Sequence, residues 1–232
     1  MRRNIGCMKR MFLIMTMALP PLLCQIVANA VNAAPAQTLF GTQELRNGNL
    51  KPFTKWTRML ERFSRDEVAE STTCTATATN KCHTQRWQEL IDQQKGHGLA
   101  SKLQAVNSFV NKTPYKVDAI NWGVGDYWAT PGQFFVKYGD CEDYAVAKYL
   151  TLKRLGVDAS RMRIVVLQDI KLRVPHAVLA VYTDGDIIIL DNQIKRPVWA
   201  AEIRHYRPIY SINEDAWWLH RAKGSMRRKK RI

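Results

Sequence analysis

Acidic residues are missing from both ends of this 232-residue chain, and that absence accounts for most of its formal charge of +15. Residues 1–33 carry Arg2, Arg3, Lys9 and Arg10 with no acid among them. Residues 221–231 carry seven basic side chains, again with no acid. The stretch between is left near +4, so its body encodes no basic groove for nucleic acid. Internal repeats and long linkers are also absent, which excludes solenoids and strings of small modules. Cysteine is scarce, with five in all, and Cys7 and Cys24 fall in the first 33 residues. What is present is 46% hydrophobic and 24% charged residues, enough for one domain with a real core.

The N-terminal segment has the order of a secretory signal peptide: a basic start, an apolar run from Met11 to Ala28, then small-x-small cleavage patterns at Ala28-Asn29-Ala30 and Val31-Asn32-Ala33. Pro20-Pro21 inside the run argues against an uncleaved anchor. Leu23 is too bulky before Cys24 for lipoprotein processing. The expected organisation is a signal peptide over 1–33, one domain over 34–220 and a solvated basic tail over 221–232, the mature protein being exported. Outside the cytoplasm, Cys74 and Cys82 can pair as a disulfide, or join His83 in a metal site that lacks a fourth ligand. Cys141 then stands alone, and an odd thiol in an oxidising compartment is a candidate reactive group.

Periodicity separates the chain into two halves. Trp56, Met59, Leu60 and Phe63 recur at helical spacing, as do Leu99, Leu103, Val106 and Val110, with a short helix around Trp87, Leu90 and Ile91. A loop is expected over 72–84. Gly139-Asp140 supplies a turn and an N-cap, so a helix should begin at Cys141, continue through Leu155 and stop at Gly156. Strands are predicted over 163–167, 176–182, 187–191 and 209–212, with Asp184-Gly185 as a hairpin turn. Helices followed by an antiparallel sheet make an α+β domain.

The hairpin carries a geometric consequence. If Asp184 and Gly185 are the loop, Thr183 pairs with Asp186 and Val178 faces Asp191. His176 and Asp191 then share a sheet face as diagonal neighbours, within side-chain reach. A slip of one residue would put them on opposite faces. A thiol at a helix N-terminus, an imidazole to take its proton and a carboxylate to orient the ring are the parts of a nucleophilic triad, here Cys141, His176 and Asp191. Singly, each residue also has an ordinary structural explanation: a half-buried histidine, a strand-end aspartate, a small buried hydrophobe.

Asp140, Glu142 and Asp143 complicate this arrangement. Carboxylates suit a helix start, yet three of them beside a thiol oppose its ionisation, and the helix dipole supplies only about half a charge. A cation would resolve the conflict, and hard carboxylate oxygens suit calcium rather than zinc. The three acids are therefore candidate calcium ligands.

Several runs together resemble the bacterial transglutaminase-like cysteine peptidases of the LapG type. They are Asn121-Trp122-Gly123, Asp126-Tyr127-Trp128-Ala129-Thr130-Pro131, Gly139-Asp140-Cys141-Glu142-Asp143-Tyr144-Ala145, His176-Ala177-Val178-Leu179-Ala180, Leu190-Asp191-Asn192 and Pro208-Ile209-Tyr210-Ser211-Ile212-Asn213. The resemblance implies a papain-like (transglutaminase-like) α+β fold, a Cys141–His176–Asp191 triad and calcium at the acids flanking the cysteine. It also implies a periplasmic protease that cuts a large repetitive surface adhesin near its N-terminus at a dialanine site, releasing it and favouring biofilm dispersal. The implied inhibitory partner is the periplasmic domain of an inner-membrane cyclic di-GMP receptor. Two other classes use the same residues differently: a transglutaminase or cell-wall amidase with the same triad, and a non-catalytic periplasmic binding module in which Cys141 is packing. Trp122 is a candidate site-lining residue, with a place at the edge of the core as its plainer explanation.

Overall fold

The computed structural model describes residues 38–69 and 83–222. The signal segment, Cys74, Cys82 and nearly all of the basic tail lie outside the described residues. The elements are β1 (Thr42–Asn47), α1 (Thr54–Ala69), α2 (His83–Gln94), α3 (Leu99–Val110), α4 (Asp118–Asn121), α5 (Pro131–Lys137), α6 (Cys141–Arg154), β2 (Met162–Asp169), β3 (Val174–Tyr182), β4 (Ile187–Leu190), β5 (Val198–Trp199), β6 (Tyr206–Ile212) and β7 (Trp217–Ala222). The strands form one sheet in the order β1-β7-β6-β2-β3-β4-β5, with every pairing antiparallel. Among the described residues no helix is long and apolar enough to cross a membrane.

Helix α6 is the centre of the domain. Every residue from Asp143 to Thr151, and Leu152 after it, is buried, because the sheet covers one side and α3 and α5 cover others. Its N-terminus is fixed by Asp140 and Asp143, and it stops where Gly156 takes φ +82°. Helix α5 starts on a capping box, Thr130 with Gln133, and has Pro131 in its first turn. Alternation along the strands makes two cores. Ile164, Leu179, Val181 and Leu190 face the helices with Trp56, Trp87 and Tyr149, while Val165, Val178, Ala180, Ile189 and Tyr206 pack on the opposite face.

The α+β architecture matches the expectation, with one departure from the order of helices then sheet. β1 precedes every α-helix of the described residues and pairs with β7, Thr42 opposite Ala222, which sequence periodicity does not reveal. β5, β7, α4 and α5 are likewise additions to the sequence-based expectation, and α2 begins inside the segment expected to be a loop. β7 runs to Ala222, two residues into the segment expected to be tail. The β3–β4 register is the one the turn predicts, with Leu179 opposite Leu190 and Tyr182 opposite Ile187. Thr183 N–H donates to the Asp186 carbonyl at 2.8 Å across the two-residue turn. The ladder ends at Leu190, so Asp191 stands one position beyond the strand it was expected to close.

Candidate active site

The site is assembled where the head of α6 meets the start of β3. Asp143, fully buried, fixes that head: its Oδ2 accepts the Asp140 N–H at 3.3 Å and its Oδ1 the Ala129 N–H at 2.6 Å. Gly139 is required here because a Cβ would fall on the Asp143 carboxylate. Cys141 is thus held as the first residue of α6, half-buried, and is the one cysteine among the described residues.

The sulfur lies among polar groups, with carboxylate oxygens of Asp140 and Glu142 within 4.8 Å. Its thiol donates to Glu142 Oε2 at 3.2 Å, and the backbone N–H of Ala177, next to His176, points at it from β3. Burial first, and then the Glu142 and Asp140 carboxylates, push the thiol far above its ordinary range; the Ala177 N–H acts in the other direction but is outweighed.

His176 and Asp191 form a buried pair, Nε2 to Oδ1 at 3.0 Å. Burial raises the Asp191 carboxyl, but the His176 hydrogen bond and charge, the Tyr206 hydroxyl and the Gln193 N–H outweigh it and hold the group below the ordinary carboxylate range. An ionised carboxylate only accepts, so Nε2 carries the proton and Nδ1 is the ring nitrogen left to accept one. Tyr206 completes the seat. Its hydroxyl donates to Asp191 Oδ2 at 2.5 Å, and its ring lies edge-on to the imidazole at 5.7 Å between centroids. Gln193 N–H reaches Asp191 Oδ1 at 2.8 Å, and Asn111, just past α3, holds the Asp191 carbonyl at 2.8 Å. A thiol at a helix head, a base presenting Nδ1 and a fixed anion behind that base can together deprotonate the sulfur and return a proton to a leaving group.

The acids beside the cysteine belong to a larger cluster than the three candidates. Ligand oxygens of Asp118, Asp126 and Glu142 lie within 4.8 Å of one another, and so do those of Asp118, Asp140 and Asp143. Asp118 links the two groups. Asp118 Oδ1 and Asp140 Oδ1 are buried without a hydrogen-bond partner, and burial raises these carboxyls, Asp118 to about 6 and Asp140 to about 8. Orphaned carboxylate oxygens at such spacing fit a hard divalent cation. All three candidates belong to this cluster, although both oxygens of Asp143 also accept backbone N–H groups. Asp126 is exposed and paired with Lys55.

Sequence reasoning misses Tyr206, Asp118 and Asp126 as parts of the site. Tyr206 reaches Asp191 only through the β6–β2–β3 pairing, which includes a register shift at Val166/Leu167, and no local signal encodes that. Asp126 sits in one of the runs that carry the resemblance, while Asp118 lies in a four-residue helix without a motif of its own. Trp122 packs against Tyr127, the rings tilted by 32° with centroids 4.3 Å apart, and lies under the Lys137 ammonium, with its indole N–H buried and unpartnered.

The chain is similar to known proteins in sequence and in fold. Residues 67–223 match the family model of bacterial transglutaminase-like cysteine proteinases. LapG of Legionella pneumophila is 32% identical over 69% of this chain and 87% of its own, with a TM-score of 0.57, and its calcium-bound form gives the same values. An EGTA-treated form of that protein superposes with a TM-score of 0.58 over 70% of this chain and 86% of its own, again at 32% identity. No curated protein sequence matches the chain. With a matching fold and more than half the chain inside the family model, the protein belongs to the bacterial transglutaminase-like cysteine proteinases, as a cysteine peptidase of the LapG type.

Proposed function

We propose that the protein is a calcium-dependent periplasmic endopeptidase that cuts a large repetitive surface adhesin near its N-terminus, at a dialanine site, and so releases it and promotes biofilm dispersal. Cys141 is the nucleophile, His176 the base and Asp191 the group that orients the base. The observation that carries the proposal is the 3.0 Å contact between His176 Nε2 and Asp191 Oδ1, one residue along β3 from the N–H that faces the Cys141 sulfur. His176 Nδ1 takes the thiol proton as sulfur attacks the scissile carbonyl. The imidazolium then protonates the departing amine, and a water molecule, deprotonated by the same nitrogen, releases the acyl group. Asp191 stays ionised throughout, because Tyr206 and Gln193 hold it in place.

Calcium would be held by carboxylates of the cluster formed by Asp118, Asp126, Asp140, Glu142 and Asp143. Bound there, it neutralises the carboxylates that otherwise oppose thiolate formation. The calcium-bound LapG structure supports this reading, as do the orphaned oxygens of Asp118 and Asp140. A signal-like N-terminus supports export, and the inhibitory partner proposed is the periplasmic domain of a cyclic di-GMP receptor.

The test mixes mature protein with the N-terminal portion of the largest repetitive adhesin encoded in the same genome. One cut, abolished by EGTA and restored by calcium, is expected, and Cys141→Ala should give none. Cleavage by the alanine variant refutes the nucleophile. Incorporation of an added amine in place of water would identify a transglutaminase instead.

A further inference from the structure

Ile170, Leu172 and Val174 are 48%, 54% and 42% exposed, three aliphatic side chains presented to water by one short turn. The turn joins β2 to β3, with Asp169 opposite Val174 at its base, and Lys171 and Arg173 alternate with the aliphatic residues. Its backbone is firmly held. The buried Asp169 carboxylate accepts the Lys171 N–H at 2.8 Å and the Leu172 N–H at 3.0 Å, and Arg173 takes φ +62°. The Ile170 N–H donates to the His205 carbonyl at 2.9 Å, which ties the turn to the segment 204–207 that enters β6.

Topology gathers further basic groups at this end of the sheet. Asp169 pairs with Tyr206, so β6 begins where β2 ends, and the register that sets Tyr210 opposite Leu219 carries β7 back to the same end. β7 stops at Ala222, two strand spacings from β2, or about 10 Å. From there the sequence continues with Lys223 and the run Arg227-Arg228-Lys229-Lys230-Arg231, six basic residues and no acid over 223–231. Over the described residues 169–174, 204–207 and 221–222 the only acid is Asp169, which is buried. Lys171, Arg173 and Arg204 enter no ion pair among the described residues, and Arg207 donates to the carbonyls of Arg204 and Tyr206.

We infer that this end of the sheet docks on an anionic phospholipid surface. The aliphatic side chains of the β2–β3 turn enter the boundary between headgroups and acyl chains, and the surrounding lysines and arginines, those after Ala222 included, meet the headgroup phosphates. A bilayer interface offers anionic oxygen and hydrocarbon side by side, which is the pairing that alternate aliphatic and basic residues require. A purely anionic polymer would satisfy the charges and leave Ile170, Leu172 and Val174 in water. Firm attachment takes two signals, and the turn supplies the apolar one while the basic run supplies the electrostatic one. This inference goes beyond the protease reading and does not need it. Its consequence for that reading is one of place: His176 of β3 and Tyr206 of β6 lie at this same end, so docking holds the candidate active site beside the bilayer.

The experiment takes the protein from residue 34 onward, free of the apolar run at 11–28, and sediments it with vesicles in about 0.1 M salt. The vesicles are phosphatidylcholine alone or phosphatidylcholine with about 30% phosphatidylglycerol. The protein should sediment with the anionic vesicles, stay in solution with the neutral ones and be released as salt rises to about 0.5 M. Lys171→Gln should weaken partitioning about fivefold, the effect of one charge near such a surface, and so should Arg173→Asn, which tolerates the left-handed backbone. Arg227→Gln, Arg228→Gln and Lys229→Gln together should weaken it about a hundredfold. Ile170→Ser with Leu172→Ser changes no charge and should weaken it about tenfold. All of these positions in the turn are exposed, and circular dichroism checks that each variant folds. Failure to bind anionic vesicles overturns the inference. Binding that the serine pair leaves unchanged overturns it too, since that is the behaviour of a face built for an acidic protein.

Discussion

Tyr206→Phe removes a single oxygen from the seat of Asp191 and leaves the ring in place, which makes it a clean probe of how that carboxylate is held. The hydroxyl donates to Oδ2 at 2.5 Å, and Asp191 is fully buried, so no water can substitute. A hydrogen bond to an ionised group contributes about 1.5–3 kcal/mol, so about 2 kcal/mol of stability should be lost at neutral pH. In a domain of this size that lowers the melting midpoint by about 4–8 °C. The loss should depend on pH with a definite sign. Asp191 is held below its ordinary value in the folded protein, so its stabilisation is complete above that value and disappears as pH falls through the folded one. The deficit of the phenylalanine variant should therefore be largest near pH 7 and narrow below about pH 4. Turnover should fall about tenfold, because two donors still hold the carboxylate against His176. Urea denaturation at both pH values, with initial rates at pH 7, provides the assay. A variant as stable and as fast as the parent would refute the role assigned to the Tyr206 hydroxyl.

Other substitutions test other parts of the site and fold. Gly139→Ala would drive a methyl group to within 2.8 Å of Asp143 Cγ, so it should cost about 1–3 kcal/mol in chemical denaturation and lower activity by displacing the head of α6. Millimolar calcium should raise the melting midpoint of the parent, and Asp118→Asn should cut that rise by at least half; an equal rise in both would remove Asp118 from the metal set. His220 is wedged between Thr42 Oγ1 at 2.8 Å and Ser211 Oγ at 2.9 Å, where burial, with a smaller push from Arg163 and against the pull of Glu44, lowers it to about 4. The unfolded chain binds that proton more readily, so stability should be full above about pH 6.5 and fall by up to about 3 kcal/mol toward pH 4. In His220→Gln that part of the acid slope should vanish from melts taken across the range.

How much of this can be read from residues alone divides along a physical line. Features fixed by neighbours in sequence are legible. The Asp184-Gly185 turn sets the β3–β4 register, that register places His176 and Asp191 on one face, and Gly139-Asp140 marks the start of α6. Thr130-Pro131 with Gln133 has the local chemistry of a helix start too, although α5 is short enough to pass for a loop. Features that depend on distant pairings are not legible. Tyr206 meets Asp191 through two other strands and a bulge, and β1 is too polar along one side to announce itself before β7 is known. Asp118 joins the acid cluster because a loop folds back so that Tyr127 N–H caps its carboxylate, a closure without local signature. The helical run from Cys141 is legible, but the burial of Lys148 within it is not, since periodicity assumes one wet face and α6 has none over that stretch.

The antiparallel partnership of β1 and β7 couples the two extremities of the domain. Thr42 cannot find Ala222 until the last strand of the domain has left the ribosome, so one margin of the sheet stays open through synthesis. The final zipping step is thus reserved for a chain whose closing strand is complete. Because those extremities lie side by side, a short bridge could join them and fresh ends could be opened at a distant surface turn such as Asp184-Gly185.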